Sequence, residues 1–174
     1  MLNQPVVTFG LESSLFGLPV ALVQEILDPR PVSRLPHAPS HLMGVTDVRG
    51  SSVAVIDLRT YLGEPMRPDA ADTRIMVLKL DRDGAALLVA LRVDRVIEVT
   101  SLDDDRLEPL AEAALLNWDQ RMVEGIGRRN GTFVTVLRLA GLFDRDVMDA
   151  MATGRPRQAA SQDAEAAFAG LASA

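Results

Sequence analysis

Residues 44–62 read GVTDVRGSSVAVIDLRTYL, and the fold turns on how that stretch is read. A glycine and a short apolar step lead into a turn-like Arg49-Gly50-Ser51-Ser52. A β-rich run follows, Val53-Ala54-Val55-Ile56, and ends in Asp57-Leu58-Arg59. Glycine supplies backbone angles that other residues resist, so the pattern predicts a strand, a tight connection and a second strand. The chain then nearly repeats itself. Residues 125–143 read GIGRRNGTFVTVLRLAGLF. At one constant displacement Gly44, Gly50, Val53, Val55 and Leu58 fall on Gly125, Gly131, Val134, Val136 and Leu139. Tyr61 and Leu62 fall on Leu142 and Phe143.

A second repeat precedes each copy. Leu18, Val20, Val23 and Glu25 recur as Leu91, Val93, Val96 and Glu98, so both halves spell Leu-x-Val-x-x-Val-x-Glu, followed by Ile26 or Val99. The units keep the same order, and the connector differs: residues 27–43 in the first half, the longer 100–124 in the second. Two β units of one design fused in one chain is the expectation.

The 174 residues suit one domain or two small intimate ones, burying roughly 70% of the unfolded surface on folding. A hydrophobic fraction of 48% with only 4% aromatics requires an aliphatic core. There is no cysteine, which excludes a disulfide, a thiolate metal site and a cysteine nucleophile. No apolar run reaches the length of a membrane span, and the N-terminus lacks a signal-peptide pattern, so a cytoplasmic location is expected. The net charge of −6 argues against a nucleic-acid binder and leaves room for a protein partner.

Along the chain, residues 6–11 read as a first strand closed by Glu12-Ser13-Ser14, and 15–20 as its hairpin partner, with Pro19 marking an edge, a bulge or a strand end. Residues 23–27 continue the β pattern until Pro29 and Pro31. One helical turn capped by Ser40 fits 40–43, and another fits 59–63. Residues 64–72 are a polar, proline-bearing connector. Residues 73–80 read as a strand, Asp83-Gly84 as a hairpin turn, and the returning strand alternates Leu87, Val89, Leu91 and Val93 against Leu88, Ala90, Arg92 and Asp94. A short helix fits 110–116. Asn130-Gly131 marks another turn, and Leu139, Leu142, Phe143, Val147 and Met151 suggest an amphipathic helix. Beyond Gly154 the tail is alanine-rich and weakly patterned.

Taken in order, Leu18-Pro19-Val20, Val23-Gln24-Glu25-Ile26-Leu27, Leu35-Pro36-x-Ala38-Pro39, Gly44-Val45-Thr46-Asp47-Val48-Arg49-Gly50, Val55-Ile56-Asp57-Leu58-Arg59, Val93-Asp94-Arg95-Val96 and Gly125-Ile126-Gly127 resemble the CheW family. These are adaptors that couple chemoreceptors to the histidine kinase CheA. The resemblance runs from residue 6 to 149. It implies a mainly β fold of two SH3-like five-stranded barrels packed about an apolar seam, with short helical turns and a C-terminal helix. The domain would span 1–154, with barrels over 15–80 and 81–138 plus the N-terminal strand, a helix over 139–151, and a flexible tail over 155–174. It implies no catalysis, no cofactor and no metal. The implied partners are the regulatory domain of a CheA-type kinase on one barrel surface and the hairpin tip of a chemoreceptor in the groove between barrels, with other CheW-like domains as further candidates. Neither nucleic acid nor direct membrane insertion is implied.

On the matching positions the receptor-facing residues are Val23, Glu25, Asp47, Arg49 and Val89. Each has a plainer reading. Val23 fits a core position equally, Glu25 fits a solvated strand edge, and Asp47 and Arg49 are spaced to pair with each other. The sequence also departs from the family. Asp47 stands where asparagine is usual, Ala90 replaces a usual glycine, Arg92 occupies a position that is usually apolar, and Arg138 one where an apolar residue or aspartate is common, which makes the expected outer face of the second barrel unusual. A cation site at Asp103-Asp104-Asp105 lacks the alternating ligands of a calcium loop. His37 and His41 have Pro39 between them and no third ligand, and neither has an obvious nucleophile partner. A barrel adaptor serving pili or second-messenger control rather than swimming fits the same motifs.

Overall fold

The protein is described from a computed structural model, which describes residues 4–82, 84–104, 106–109 and 120–139. The strands are β1 (Val6–Leu11), β2 (Ser14–Pro19), β3 (Val23–Leu27), β4 (Leu42–Val48) and β5 (Ser51–Asp57), then a one-turn helix α1 (Leu58–Tyr61). After it come β6 (Arg74–Arg82), β7 (Ala85–Val93), β8 (Arg95–Thr100), β9 (Val123–Arg129) and β10 (Thr132–Leu137). Residues 44–62 are β4, a two-residue turn, β5 and α1, as their sequence predicts. Asp57 starts α1 by accepting the Thr60 N–H at 3.1 Å, the side-chain cap that a short helix needs for its unpaired donors. No helix forms over 40–43, because Leu42 already begins β4. The helices expected over 110–116 and 139–151 and the tail over 155–174 lie outside the described residues, Leu139 apart.

The strands form two five-stranded sheets of the SH3-like kind, in the orders β8-β1-β2-β10-β9 and β3-β6-β7-β5-β4. Each order contains one parallel neighbour pair, β2 with β10 and β5 with β7. The two orders correspond strand for strand, β8 with β3, β1 with β6, β2 with β7, β10 with β5 and β9 with β4, with the parallel pair at the same step. The sequence repeat is therefore structural, but its two copies do not each build one sheet. The first copy, β1 to β5, lends its hairpin β1–β2 to the sheet that holds β8 to β10. The second lends β6–β7 to the sheet that holds β3 to β5. The partition into 15–80 and 81–138 is corrected on this point: one sheet runs from β3 to β7, and the other joins β1–β2 to β8–β10. Matching patterns cannot tell which copy a strand pairs with, because both copies offer the same hydrogen-bonding edge and the same apolar face.

Small details repeat as well. An isolated bridge joins Ser33 to Val45, and its counterpart joins Glu108 to Ile126. Gly44 and Gly125 make room for these crossings. A Cβ on Gly44 would lie 2.0 Å from the Ser33 carbonyl oxygen, and one on Gly125 would lie 2.9 Å from that of Glu108.

The interior of the β3–β7 sheet holds Val48, Val53, Val55, Ile75, Val77 and Ala90, with Leu27, Val32, Met43 and Leu88 packed around them. In the other sheet Phe9 stacks on Phe16 at 5.8 Å on one face, and Val6, Val134 and Val136 are buried on the other, around Gly17. Burying each such aliphatic side chain contributes about 1.5–3 kcal/mol, so a core poor in aromatics suffices. The alternation of β7 does not leave one face outside. Val89, Ala90, Leu91, Arg92 and Val93 are all buried, because β7 lies between β6 and β5 and both its faces are covered.

Candidate functional site

Glu25 lies on β3 and Arg49 follows β4, at opposite ends of the strand order. Their side chains nevertheless meet. Arg49 Nε donates to Glu25 Oε1 at 3.2 Å, and Nη2 donates to Oε2 at 3.2 Å. The sheet has curled until its two edges touch, and this fork ties them together across the opening. Glu98 on β8 and Arg129 on β9 do the same for the other sheet, at 3.1 Å. The bond to Glu25 raises the pKa of the Arg49 guanidinium, so the cation is permanent. The Arg49 side chain is 78% exposed while that of Glu25 is 16% exposed. The carboxylate is the anchored member and the arginine the presented one.

Arg49 and Gly50 form the whole β4–β5 loop, since Val48 pairs with Ser51. Their φ values are 53° and 83°, both left-handed, as a two-residue hairpin of type I′ requires. Asn130 and Gly131 occupy the equivalent loop at 50° and 74°. Asn-Gly is the usual choice there, and arginine resists a positive φ. The backbone thus holds Arg49 outward in a conformation its own chemistry disfavours.

Asp47 does not pair with Arg49. Its Oδ1 accepts the Gly50 N–H at 3.2 Å, and its carbonyl accepts from Arg30 Nη1 at 2.9 Å. It steadies the turn and remains exposed. Val23 is half-buried at the start of β3, opposite Leu78. Of these four, Glu25 and Arg49 touch, and Asp47 bonds to Gly50 beside Arg49. Val89 does not join them as a surface group. It is fully buried between Ala54 and Leu78, and its place among contact residues is corrected because the central strand has no free face. Ile26, 40% exposed, lies beside Glu25, and Val99, 57% exposed, holds the matching place beside Glu98 in the second repeat.

Arg92 is also corrected. It is not on an outer face but buried, with Nη1 donating to the buried Asp57 Oδ1 at 2.9 Å. Burial opposes its charge, and hydrogen bonds to Asp69 and Asp57 outweigh burial and raise its pKa. Arg138 follows β10 and pairs with Glu124 at 2.6 Å. Asp103 accepts the N–H groups of Asn130 and Gly131, both at 3.0 Å. That bonding holds its pKa low and ties the connector to the β9–β10 turn, while Asp105 lies outside the described residues. His41 packs edge-on against Tyr61 at 5.0 Å, and burial lowers its pKa. His37 is exposed, in a left-handed turn. Among the described residues no group of three His, Cys, Asp or Glu side chains could hold a metal ion, and no helix is long and apolar enough to cross a membrane.

Residues 5–147 match the CheW-like domain. The chain belongs to the CheW-like family. It is 27% identical over 131 residues to the chemotaxis protein CheW of Helicobacter pylori, covering 75% of this chain and 76% of that one. It is 26% identical over 149 residues to a probable chemotaxis protein CheW of Rhizobium etli, covering 85% and 92%. Among solved structures, the scaffolding protein TtCheW of Thermoanaerobacter tengcongensis matches with a TM-score of 0.71 and 28% identity, over 83% of this chain and 90% of that chain. The family is the one that the motifs resemble, and the shared fold is the pair of five-stranded sheets.

Proposed function

We propose that this protein is a non-enzymatic chemotaxis scaffold that couples chemoreceptors to a CheA-type histidine kinase, in the cytoplasm at membrane-associated receptor arrays. Its relatives are chemotaxis proteins and its structural neighbour is a scaffolding protein. The observation that supports a protein-binding site at the β3–β4 edge is Arg49, a fixed cation held outward on a rigid two-residue loop. A guanidinium so placed is suited to a carboxylate or to helix-end carbonyls of a receptor hairpin. Val23, Glu25 and Asp47 make the rest of that site, with Glu25 aiming the guanidinium. Residues 1–154 are the working unit in this reading and 155–174 are dispensable to it, so truncation after Gly154 should preserve binding.

The test is a titration of the purified chain against a chemoreceptor cytoplasmic tip and, separately, against the kinase regulatory domain. Saturable binding to both, with Arg49→Glu weakening the receptor arm by about 10-fold and sparing the kinase arm, is the expected result. Binding to neither partner refutes the adaptor reading. Loss of both together on Arg49→Glu refutes the site.

A further inference from the structure

The connector between α1 and β6 has the composition of a loose linker, yet the structure fastens it at several points to two buried arginines. Arg59 Nε donates to the Pro65 carbonyl at 2.9 Å. Arg92 Nη2 donates to the Arg67 carbonyl at 2.6 Å, and its Nε donates to Asp69 Oδ1 at 2.8 Å. The Arg59 side chain has no exposed surface and that of Arg92 is 5% exposed. Both stand on the β3–β7 sheet or on the helix that leaves it. A guanidinium offers five donors in a fixed plane, and here the spare donors reach across to the connector.

Arg59 also reaches the other sheet. Arg59 Nη2 donates to Glu12 Oε1 at 2.8 Å, and Nη1 donates to Asp94 Oδ2 at 2.6 Å. Glu12 lies in the β1–β2 turn, and its own N–H donates to Asp94 Oδ2 at 2.9 Å. Arg67 of the connector closes the circuit with an ion pair to Glu12. Asp94 sits at the step from β7 to β8, where the chain leaves one sheet for the other.

We propose that residues 64–72 are a strap that locks the exchanged hairpin β1–β2 against the β3–β7 sheet, with Arg59 and Arg92 as its positioning residues. The lock is releasable from outside. Its buried members are the two arginines and Asp57, whereas the side chains of Asp69 and Glu12 are 55% and 44% exposed. Disturbing the exposed members frees the strap first and then the β1–β2 turn, while the central strands keep their ladders.

Native-state amide exchange of the full chain tests this, comparing it with the double variant Asp69→Asn, Arg67→Gln. Both side chains are more than half exposed, so the variant keeps its core. Two kinds of amide report. The Ala70 and Thr73 amides bond where the strap runs into β6, to the Thr73 hydroxyl and the Ala70 carbonyl at 2.8 and 3.2 Å. Glu12 reports from the other sheet. The expected result is exchange at least about 10-fold faster at Ala70, Thr73 and Glu12, with the β5, β6 and β7 amides unchanged. Acceleration confined to the strap, acceleration at none of these amides, or equal acceleration through the central strands overturns the proposal. The single variant Arg67→Lys, which keeps the cation facing Glu12, should leave Glu12 within about 3-fold of the parent; a larger rise also counts against the lock.

Discussion

Replacing Arg92 by alanine is the sharpest test of how this fold tolerates charge in its interior. The guanidinium bonds Asp57 at 2.9 Å, and the Asp57 side chain has no exposed surface. Asp57 spends its other oxygen on Thr60, accepting the backbone N–H at 3.1 Å and the hydroxyl at 2.6 Å. It cannot swing out to water without uncapping α1. Removing one member of a buried pair leaves the other uncompensated, which costs about 3–5 kcal/mol. For a domain whose whole stability is on the order of 5–15 kcal/mol, that is at least about a fifth of the total. Urea unfolding followed by circular dichroism gives the loss directly, as a lower midpoint at an unchanged slope. The control is the pair Arg92→Leu with Asp57→Asn, which returns an apolar residue to β7 and keeps a capping side chain. It should recover at least about half the loss, since well-packed apolar replacements of buried pairs are often neutral. A loss below about 1 kcal/mol for Arg92→Ala would refute the reasoning, because it is the scale of a solvated surface pair.

Three further outcomes follow from the same geometry. Gly44→Ala should destabilise by about 3 kcal/mol or more in urea unfolding, because its Cβ would overlap the Ser33 carbonyl and its φ is 142°; Gly50→Ala, with open space around it, should cost clearly less. Arg49→Asn installs the loop residue that the second repeat already uses, so the thermal midpoint should hold or rise while receptor-tip affinity falls about 10-fold in titration. In acid, Glu12 is held below 4.5 chiefly by the Arg59 hydrogen bond, and Asp103 below 3.8 chiefly by the Gly131 N–H. A carboxylate depressed in the folded state adds stability that is present above its ordinary value and disappears as pH falls through the folded one. The urea midpoint should therefore decline progressively below about pH 4.5, and Glu12→Gln should flatten the upper part of that decline.

The turns and strands were legible because glycine and β-branched residues report local backbone geometry, and Asn130-Gly131 and Arg49-Gly50 both form the hairpin loops they predict. The duplication was legible for the same reason. The exchange of hairpins was not, since Leu18 and Leu91 carry no mark of the sheet they will join. Val89 alternates with Leu87, Leu91 and Val93 on an apolar face and became a contact candidate only through the family resemblance; the burial of β7 removes it from the surface. Arg92 reads like a charge on the outside because its partners, Asp57 and Asp69, are distant in sequence. The Glu25–Arg49 fork was hidden likewise: each residue was singled out, but their meeting depends on the closure of a sheet whose edges they occupy.

The parallel seam between β2 and β10 has a consequence for how the chain comes into being. Phe16 and Gly17 leave the ribosome early, yet the residues they pair with are Thr135 and Val136. The first hairpin must wait, with one edge bare, until nearly all the described strands have been made. Contacts so far apart in sequence close slowly, and a waiting strand edge invites the wrong neighbour. A prematurely ended product would hold the middle five strands and a hairpin with nowhere to dock, giving cellular quality control a ready mark of the unfinished chain.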